Sequence, residues 1–366
     1  MGCVNITAAV QQHQRPSRVT ANKFMSELCV WFHDVAHNSP REMLSPTTFF
    51  VELSGIHHLT AISAAIRENH RFYTQTLGMR LVKRTVNQDD VSAYHLFYAD
   101  AKGSPGTDLT FFNWRAPRER RGTRSIVRTC LRVNGPEALT WWSGRFDEAG
   151  VRHSESFEHN RRPTLTFEDL EGQRLALIDD KGQGDLPMPW DASPVPPEWQ
   201  IRGLGPIVIS VPTLSPTDVL LTRVFNMRHV RDRPLADNPA ARVHVFEMGR
   251  GGAHAELHVA VQPDLPDVRQ GSGGVHHVAF RSRDSDYDAW ADRLNQFRIP
   301  NSGKVDRYWF RSLYVREPNG VLFEIATDGP GFGIDEDMLT LGEQLVLPPF
   351  LEPHRKQIVA NLEKLD

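Results

Sequence analysis

At 366 residues, the chain is long enough for two domains that each bury a core. A hydrophobic share of 40% and a charged share of 24% are those of an ordinary globular protein, and a net charge of -3 gives no pull toward nucleic acid or an anionic membrane. No apolar run approaches the roughly 20 residues of a membrane span, and the scattered Cys3, Cys29 and Cys130 argue against a disulfide framework and fit the cytoplasm.

Residues 1–52 are polar and without periodicity, and they lack the apolar stretch of a secretory signal. They are expected to be a poorly ordered extension, with Met43 as an alternative start. Ile6 stands where a myristoylation motif needs Ser or Thr. A first structured segment then runs from Gly55 to Trp114. It reads as strand 56–62, helix 64–76 stopped by Gly78, and strands 80–85, 93–98 and 108–112. A second, over 125–179, has a helix at 136–148 and strands near 164–167 and 174–178. A Pro-rich linker follows, with Leu186-Pro187-Met188-Pro189 and Pro194-Val195-Pro196-Pro197. The third segment covers 204–261, with a helix at 215–225. The fourth covers 274–327, with a helix at 284–296 and a last hairpin turned by Pro318-Asn319-Gly320. The tail from Asp335 reads as polar helix.

Four copies of strand, helix and three strands constitute a degenerate internal repeat. The fold class expected is α+β: four βαβββ modules paired into two domains, each a curved mixed sheet forming a cup with helices outside. By chain order the domains are 53–182 and 203–330, with linker 183–202 and a partly helical tail 331–366.

One phrase occurs twice, as Gly55-Ile56-His57-His58-Leu59-Thr60 and Gly274-Val275-His276-His277-Val278-Ala279. The second copy is followed by Gly320-Val321-Leu322-Phe323-Glu324-Ile325-Ala326. Two strand histidines and one strand glutamate can make a 2-His-1-carboxylate site for Fe(II). A lone strand histidine is more often a hydrogen-bonded core or edge residue. A glutamate among Val, Leu, Phe and Ile is harder to explain that way, because buried carboxylates are rare unless paired or coordinated. Alternation places Phe323 and Ile325 in the core and Glu324 in the cup. It also implies that the two histidines of a pair cannot point the same way, which favours His277 and, by analogy, His58. Thr110 takes the place of Glu324 in the first segment, so the fourth pseudo-symmetric slot lacks a strong ligand. A register error would bring in Asp108 instead. Four ligands would suit Zn or Ni, whereas three leave open positions.

Together with Leu81-Val82-Lys83-Arg84-Thr85-Val86-Asn87, Tyr94-His95-Leu96, Gly103-Ser104-Pro105-Gly106-Thr107 and Gly331-Phe332-Gly333-Ile334-Asp335-Glu336-Asp337, these stretches resemble the vicinal-oxygen-chelate superfamily. This is the fold of glyoxalase I and the extradiol dioxygenases, and the likeness is greatest to its hydroquinone-type ring-cleaving dioxygenases. It runs from Gly55 to the C-terminus. The resemblance implies Fe(2+) held by His58, His277 and Glu324, joining the first and fourth segments. It implies nearby roles for His57, Thr60, His276, Arg307 and Tyr314: His57 or His276 as a base, Arg307 stabilising developing anionic oxygen, Tyr314 donating a hydrogen bond. The implied reaction inserts O2 into a hydroquinone-type ring with C–C cleavage beside the hydroxyl-bearing carbon, in aromatic hydrocarbon catabolism. The partners are then a small aromatic substrate and O2, with a homo-oligomer left open. Two rivals share the fold. One is a glyoxalase-like divalent-metal isomerase or lyase. The other is a metal-free ligand-sequestering protein, for which loss of the triad would be expected.

Overall fold

The computed structural model describes residues 51–186, 188–235 and 238–365. Expectations for residues 1–50, including the alternative start and the acylation motif, lie outside the described residues. The chain forms four modules in succession. The first comprises β1 (Gly55–Ser63), α1 (Ile66–Arg71), β2 (Arg80–Val86), β3 (Tyr94–Ala99) and β4 (Asp108–Asn113). The second comprises β5 (Ser125–Val133), α2 (Pro136–Ala149), β6 (Phe157–His159), β7 (Arg162–Glu168) and β8 (Arg174–Asp179). In the third are β9 (Gly203–Val211), α3 (Ser215–Val219), β10 (Arg228–Leu235), β11 (Asn238–Glu247) and β12 (Glu256–Val261). The fourth contains β13 (Val275–Ser282), α4 (Tyr287–Gln296), β14 (Val305–Asp306), β15 (Phe310–Arg316) and β16 (Leu322–Pro330).

Helix α2 starts at Pro136, whose missing N–H is harmless in the first turn, and stops on Gly150 at φ 66, where the glycine N–H caps Phe146 and Asp147 carbonyls. Helices α1 and α3 each widen into a π turn, Phe72–Thr76 and Leu220–Val224. Arg145 of α2 donates from Nε to the Thr76 carbonyl at 2.8 Å, and Arg293 of α4 donates likewise to the Val224 carbonyl at 2.6 Å. The helices thus lock together in pairs by one repeated device.

Two eight-stranded sheets result, ordered β14-β15-β16-β13-β1-β4-β3-β2 and β10-β11-β12-β9-β5-β8-β7-β6. Modules one and four share the first sheet, and modules two and three share the second. The sheets therefore cut across a division by chain order into 53–182 and 203–330. The reason lies in edge pairing: β1 finds its antiparallel partner in β13, and β5 finds its own in β9. A lone module leaves its first strand with an open edge, and nothing in local sequence says which module closes it.

The inner strand faces and the helices form one large core, in which Leu59, Leu109, Phe280 and Phe323 of the first sheet join Leu131, Leu165, Ile207 and Leu257 of the second. The opposite face of the first sheet carries a smaller cluster of Phe97, Ala279, Phe310, Ala326 and Phe332. The tail is mostly irregular, with one helix, α5 (Arg355–Asn361). Instead of continuing as helix, it is pinned by the fully buried Lys83, which pairs with Asp335 at 2.8 Å and with Glu336, and by Arg80, which donates to the carbonyls of Met338 and Leu339 at 3.0 and 2.9 Å. Among the described residues no helix is long and apolar enough to cross a membrane.

Candidate metal centre

At the centre of the first sheet the antiparallel ladder between β1 and β13 skips twice. It runs Ile56↔Phe280 then His58↔Ala279, leaving His57 without a partner, and Thr60↔His277 then Ala61↔Val275, leaving His276 without one. Each is a β-bulge, one extra residue that breaks the two-residue period. Both rings of each pair consequently turn toward the cup: His57 and His58 both pack against Phe310, with centroids 5.6 and 5.2 Å away. This corrects the expectation from alternation that neighbouring histidines must face opposite ways.

Strand β16 lies parallel to β13, with Glu324 beside Ala279 and Phe323 beside Val278. His58 Nε2 stands 3.2 Å and His277 Nε2 2.9 Å from Glu324 Oε2, with all three side chains buried. Ligand atoms of these three residues lie within 4.8 Å of one another. Ser312 Oγ donates to the other oxygen, Oε1, at 2.5 Å, while Oε2 is buried and makes no hydrogen bond. Burial by itself raises the pKa of Glu324; protonated rings at His58 and His277 would outweigh it and hold the carboxyl well below the ordinary range, and a cation between neutral rings does the same.

The tautomers follow from one carbonyl. His57 Nε2 is 3.1 Å from the Thr327 carbonyl, which only accepts, so Nε2 carries a hydrogen. Burial, then the neighbouring His58, pushes the His57 pKa down to about 3, so the ring is neutral and its Nδ1 is an acceptor. The His58 Nδ1 that meets it at 2.9 Å must then donate. A neutral His58 is left with a lone pair on Nε2, directed at an ionised carboxylate oxygen that lacks a hydrogen bond. Lone pair against anion is repulsive unless a cation sits between them. His276 and His277 repeat the contact, Nδ1 to Nδ1 at 2.8 Å. Burial, then His277, lowers the His276 pKa to about 3.

Thr110 stands in the fourth slot. Its hydroxyl lies 2.8 Å from that of Thr60, which is 3.1 Å from His277 Nε2. His95 Nε2 closes the chain on Thr110 at 2.9 Å. Asp108 is buried but is not in the cluster. Tyr314 sits opposite Glu324 in the β15–β16 register. Arg307 Nε donates to its hydroxyl at 3.1 Å, and Arg307 Nη2 pairs with Asp89 at 2.8 Å. Burial, then Glu324, raises the Tyr314 pKa. Phe310, Phe112 and Trp114 supply apolar walls around the histidine pairs. Ser312 and His95 were not among the residues expected from sequence. Alternation along β15 from Tyr314 would have flagged Ser312, and His95 lies within a stretch that carries the family likeness.

A second candidate set lies on the β10–β11 hairpin, with His229 and Asp232 exposed and His244 half-buried. There Asp232 Oδ1 accepts from both rings, at 2.6 and 2.7 Å, so no buried orphan asks for a cation.

Residues 203–325 match the Glyoxalase/Bleomycin resistance protein/Dioxygenase superfamily. A protein of Bacillus subtilis (strain 168) named as a ring-cleaving dioxygenase, MhqA, is 44% identical over 86% of this chain and 100% of its own length. The chlorohydroquinone/hydroquinone 1,2-dioxygenase of Sphingobium indicum is 30% identical over 85% of this chain and 96% of its own. Among solved structures, a protein of Bacillus subtilis subsp. subtilis str. 168 described as a dioxygenase superposes with a TM-score of 0.79 at 32% identity, covering 87% of this chain and 99% of that one. Glyoxalase I from Zea mays, with a TM-score of 0.55 at 12% identity over 75% of this chain and 92% of that one, shares the fold alone.

Proposed function

Because the chain belongs to the Glyoxalase/Bleomycin resistance protein/Dioxygenase superfamily, and within it to the ring-cleaving dioxygenases, we propose that it is an Fe(II)-dependent enzyme that opens hydroquinone-type rings beside a hydroxyl-bearing carbon. The observation that carries the metal is the buried, unbonded Glu324 Oε2 facing two imidazole nitrogens, one of them with its lone pair fixed by the Thr327 carbonyl. Two imidazoles and one carboxylate suit Fe(II) and leave open positions for further ligands. His58, His277 and Glu324 would hold the ion, which when bound would lower the pKa of a coordinated substrate hydroxyl and relay electrons from the ring to O2.

The chain's own residues do the rest. His57 is a positioning residue: both its nitrogens are engaged, so it sets the His58 tautomer and is not free to take a proton. By the same pattern His276 accepts from His277, which leaves it an Nε2–H, a donor rather than a base. Tyr314 accepts from Arg307 and also lies within hydrogen-bond reach of Ser312, from which its hydrogen can turn to a substrate oxygen. Arg307 adds a fixed positive charge, braced by Asp89, where negative charge develops. Thr60, Thr110 and His95 form a hydroxyl–imidazole chain along which a proton at the cup can move. Phe310, Phe112 and Trp114 exclude water and flank an aromatic ring.

The test is anaerobic reconstitution with Fe(II), then addition of hydroquinone or methylhydroquinone while O2 uptake is followed. Stoichiometric uptake with a ring-opened product is expected. Protein that holds iron yet consumes no O2 across a panel of hydroquinones and catechols would sink the reading.

A further inference from the structure

The second sheet repeats the central ladder of the first. Where β1–β13 reads Ile56↔Phe280, His58↔Ala279, Leu59↔Val278, the β5–β9 ladder reads Ile126↔Ile209, Arg128↔Val208, Thr129↔Ile207. The one-residue skip is conserved in place, with Val127 bulged as His57 is. Arg128 therefore occupies the His58 position, and Pro206, preceding Ile207, occupies that of His277. Strand β12 runs Leu257↔Ile207, His258↔Val208, as β16 runs Phe323↔Val278, Glu324↔Ala279. His258 thus stands in the Glu324 position. The three ligand positions of the first cup read Arg128, Pro206 and His258 in the second, a set with a guanidinium where a metal ligand would be.

More positive charge surrounds that position. Arg174 begins β8 beside Arg128, since Thr129 pairs with Leu175 in the parallel ladder. Arg231 and Arg233 reach in from β10, and Arg162 from β7. Glu256 is the fully buried acid inside: Oε1 meets Arg162 and Arg231 at 2.8 and 2.9 Å, and Oε2 meets His258 Nε2 at 2.7 Å, while Glu247 meets Arg231 at 3.6 Å. Among the described residues Arg128, Arg174 and Arg233 form no ion pair. Arg233 Nη2 donates to His258 Nδ1 at 3.4 Å, and its Nε is buried without a partner. Burial, then the like charges of Arg121 and Arg128, depresses the Arg174 pKa to about 10, against the opposing pull of Glu119 and Glu168. Three half-buried guanidiniums in one cup, near Glu119, Glu168 and Glu256 but with no direct ion pair among the described residues, are costly together and relieved by an anion.

We propose that the cup of the second sheet is a binding site for an oxyanion, a carboxylate or phosphate group, held by Arg128, Arg174 and Arg233. It is the electrostatic inverse of the first cup: a fixed guanidinium stands where the other cup presents ligands to a cation. This does not depend on the ring-cleavage reading.

Calorimetric titration of the full-length, iron-loaded protein with inorganic phosphate and, separately, benzoate tests it at low ionic strength. Saturable binding of at least one, at one site per chain, is expected; which one binds tells a phosphate site from a carboxylate site. The double variant R128Q/R174Q should weaken binding at least tenfold and leave O2 uptake at the first cup intact, and Glu324→Ala should leave anion binding unchanged. Absence of saturable binding by either anion, unchanged affinity in R128Q/R174Q, or loss of binding in Glu324→Ala would each overturn it. Should the double variant not fold, the melting temperature of the wild type in the anion that binds against chloride at matched ionic strength decides: a rise is expected, and no rise refutes the site.

Discussion

The two cups are built from the same module, the same strand order and the same bulge beside the central ladder, yet their interiors carry opposite charge logic. In the first, Glu324 is buried with two imidazoles; among the described residues no Lys or Arg lies within ion-pair distance of it, and one of its oxygens has no hydrogen bond. In the second, Glu256 is as deeply buried but saturated by Arg162, Arg231 and His258. A carboxylate that finishes its own hydrogen bonds with guanidiniums is a structural ion cluster. One that leaves an oxygen facing two imidazole nitrogens is poised for a metal. The fold supplies positions, and the side chains decide whether a position attracts a cation or an anion.

The sharpest way to break this comparison is to remove each carboxylate in turn. Glu324→Ala should abolish iron retention and O2 uptake, read by metal analysis and an oxygen electrode, whereas Glu256→Gln should keep its iron. Full activity in Glu324→Ala would refute the ligand assignment. Next come the residues that orient the ligands. Ser312→Ala and His57→Phe should each weaken iron affinity about 10–100-fold, the usual cost of losing a ligand's hydrogen-bond partner. Competition with a chelator measures it, and an unchanged affinity in His57→Phe would remove the tautomer argument.

In the second cup the effect should fall on stability. Glu256→Gln leaves two half-buried arginines without their counter-charge, at a cost of roughly 3–5 kcal/mol in chemical denaturation. It should also change the acid response. Burial raises the Glu256 pKa, but His258 and Arg162 outweigh it and hold the folded value far below the ordinary 4.5. The unfolded chain therefore takes up a proton that the folded chain refuses. The stability contributed by Glu256 is complete above about pH 4.5 and lost as pH falls below it. Wild type should weaken over that range more steeply than Glu256→Gln; parallel curves would contradict the linkage. The smallest effect is expected of Thr110→Val, which cuts the hydroxyl chain between His95 and Thr60. A loss of about 1–3 kcal/mol in stability is expected from the unpaired groups left behind, with iron retained.

Much of the site could be read without coordinates, because strand alternation and composition are local. Phe323 and Ile325 enter the main core while Glu324 faces away from it, and Thr110 lies where the repeat places it, opposite Thr60. The bulges at His57 and His276 could not be read. A bulge is set by how two strands far apart in sequence align, and it reverses the facing of every residue beyond it. Alternation puts Ser312 on the face of Tyr314, but its bond to Glu324 was hidden, since a serine in a strand acquires a role only when a carboxylate on the next strand lies against it. The tail's path was missed because its anchor, Lys83, is remote in sequence.

From sequence alone, the residue order determined four βαβββ modules, a doubled histidine phrase and one glutamate too apolar in its surroundings to be idle, since each depends on periodicity and burial preference within a few residues. Tertiary structure decided which modules share a sheet, which nitrogen of each histidine faces the cup and which cup collects arginines. Those are properties of strand edges and facing side chains brought together over hundreds of residues, where pairing and charge balance, not local propensity, select the arrangement.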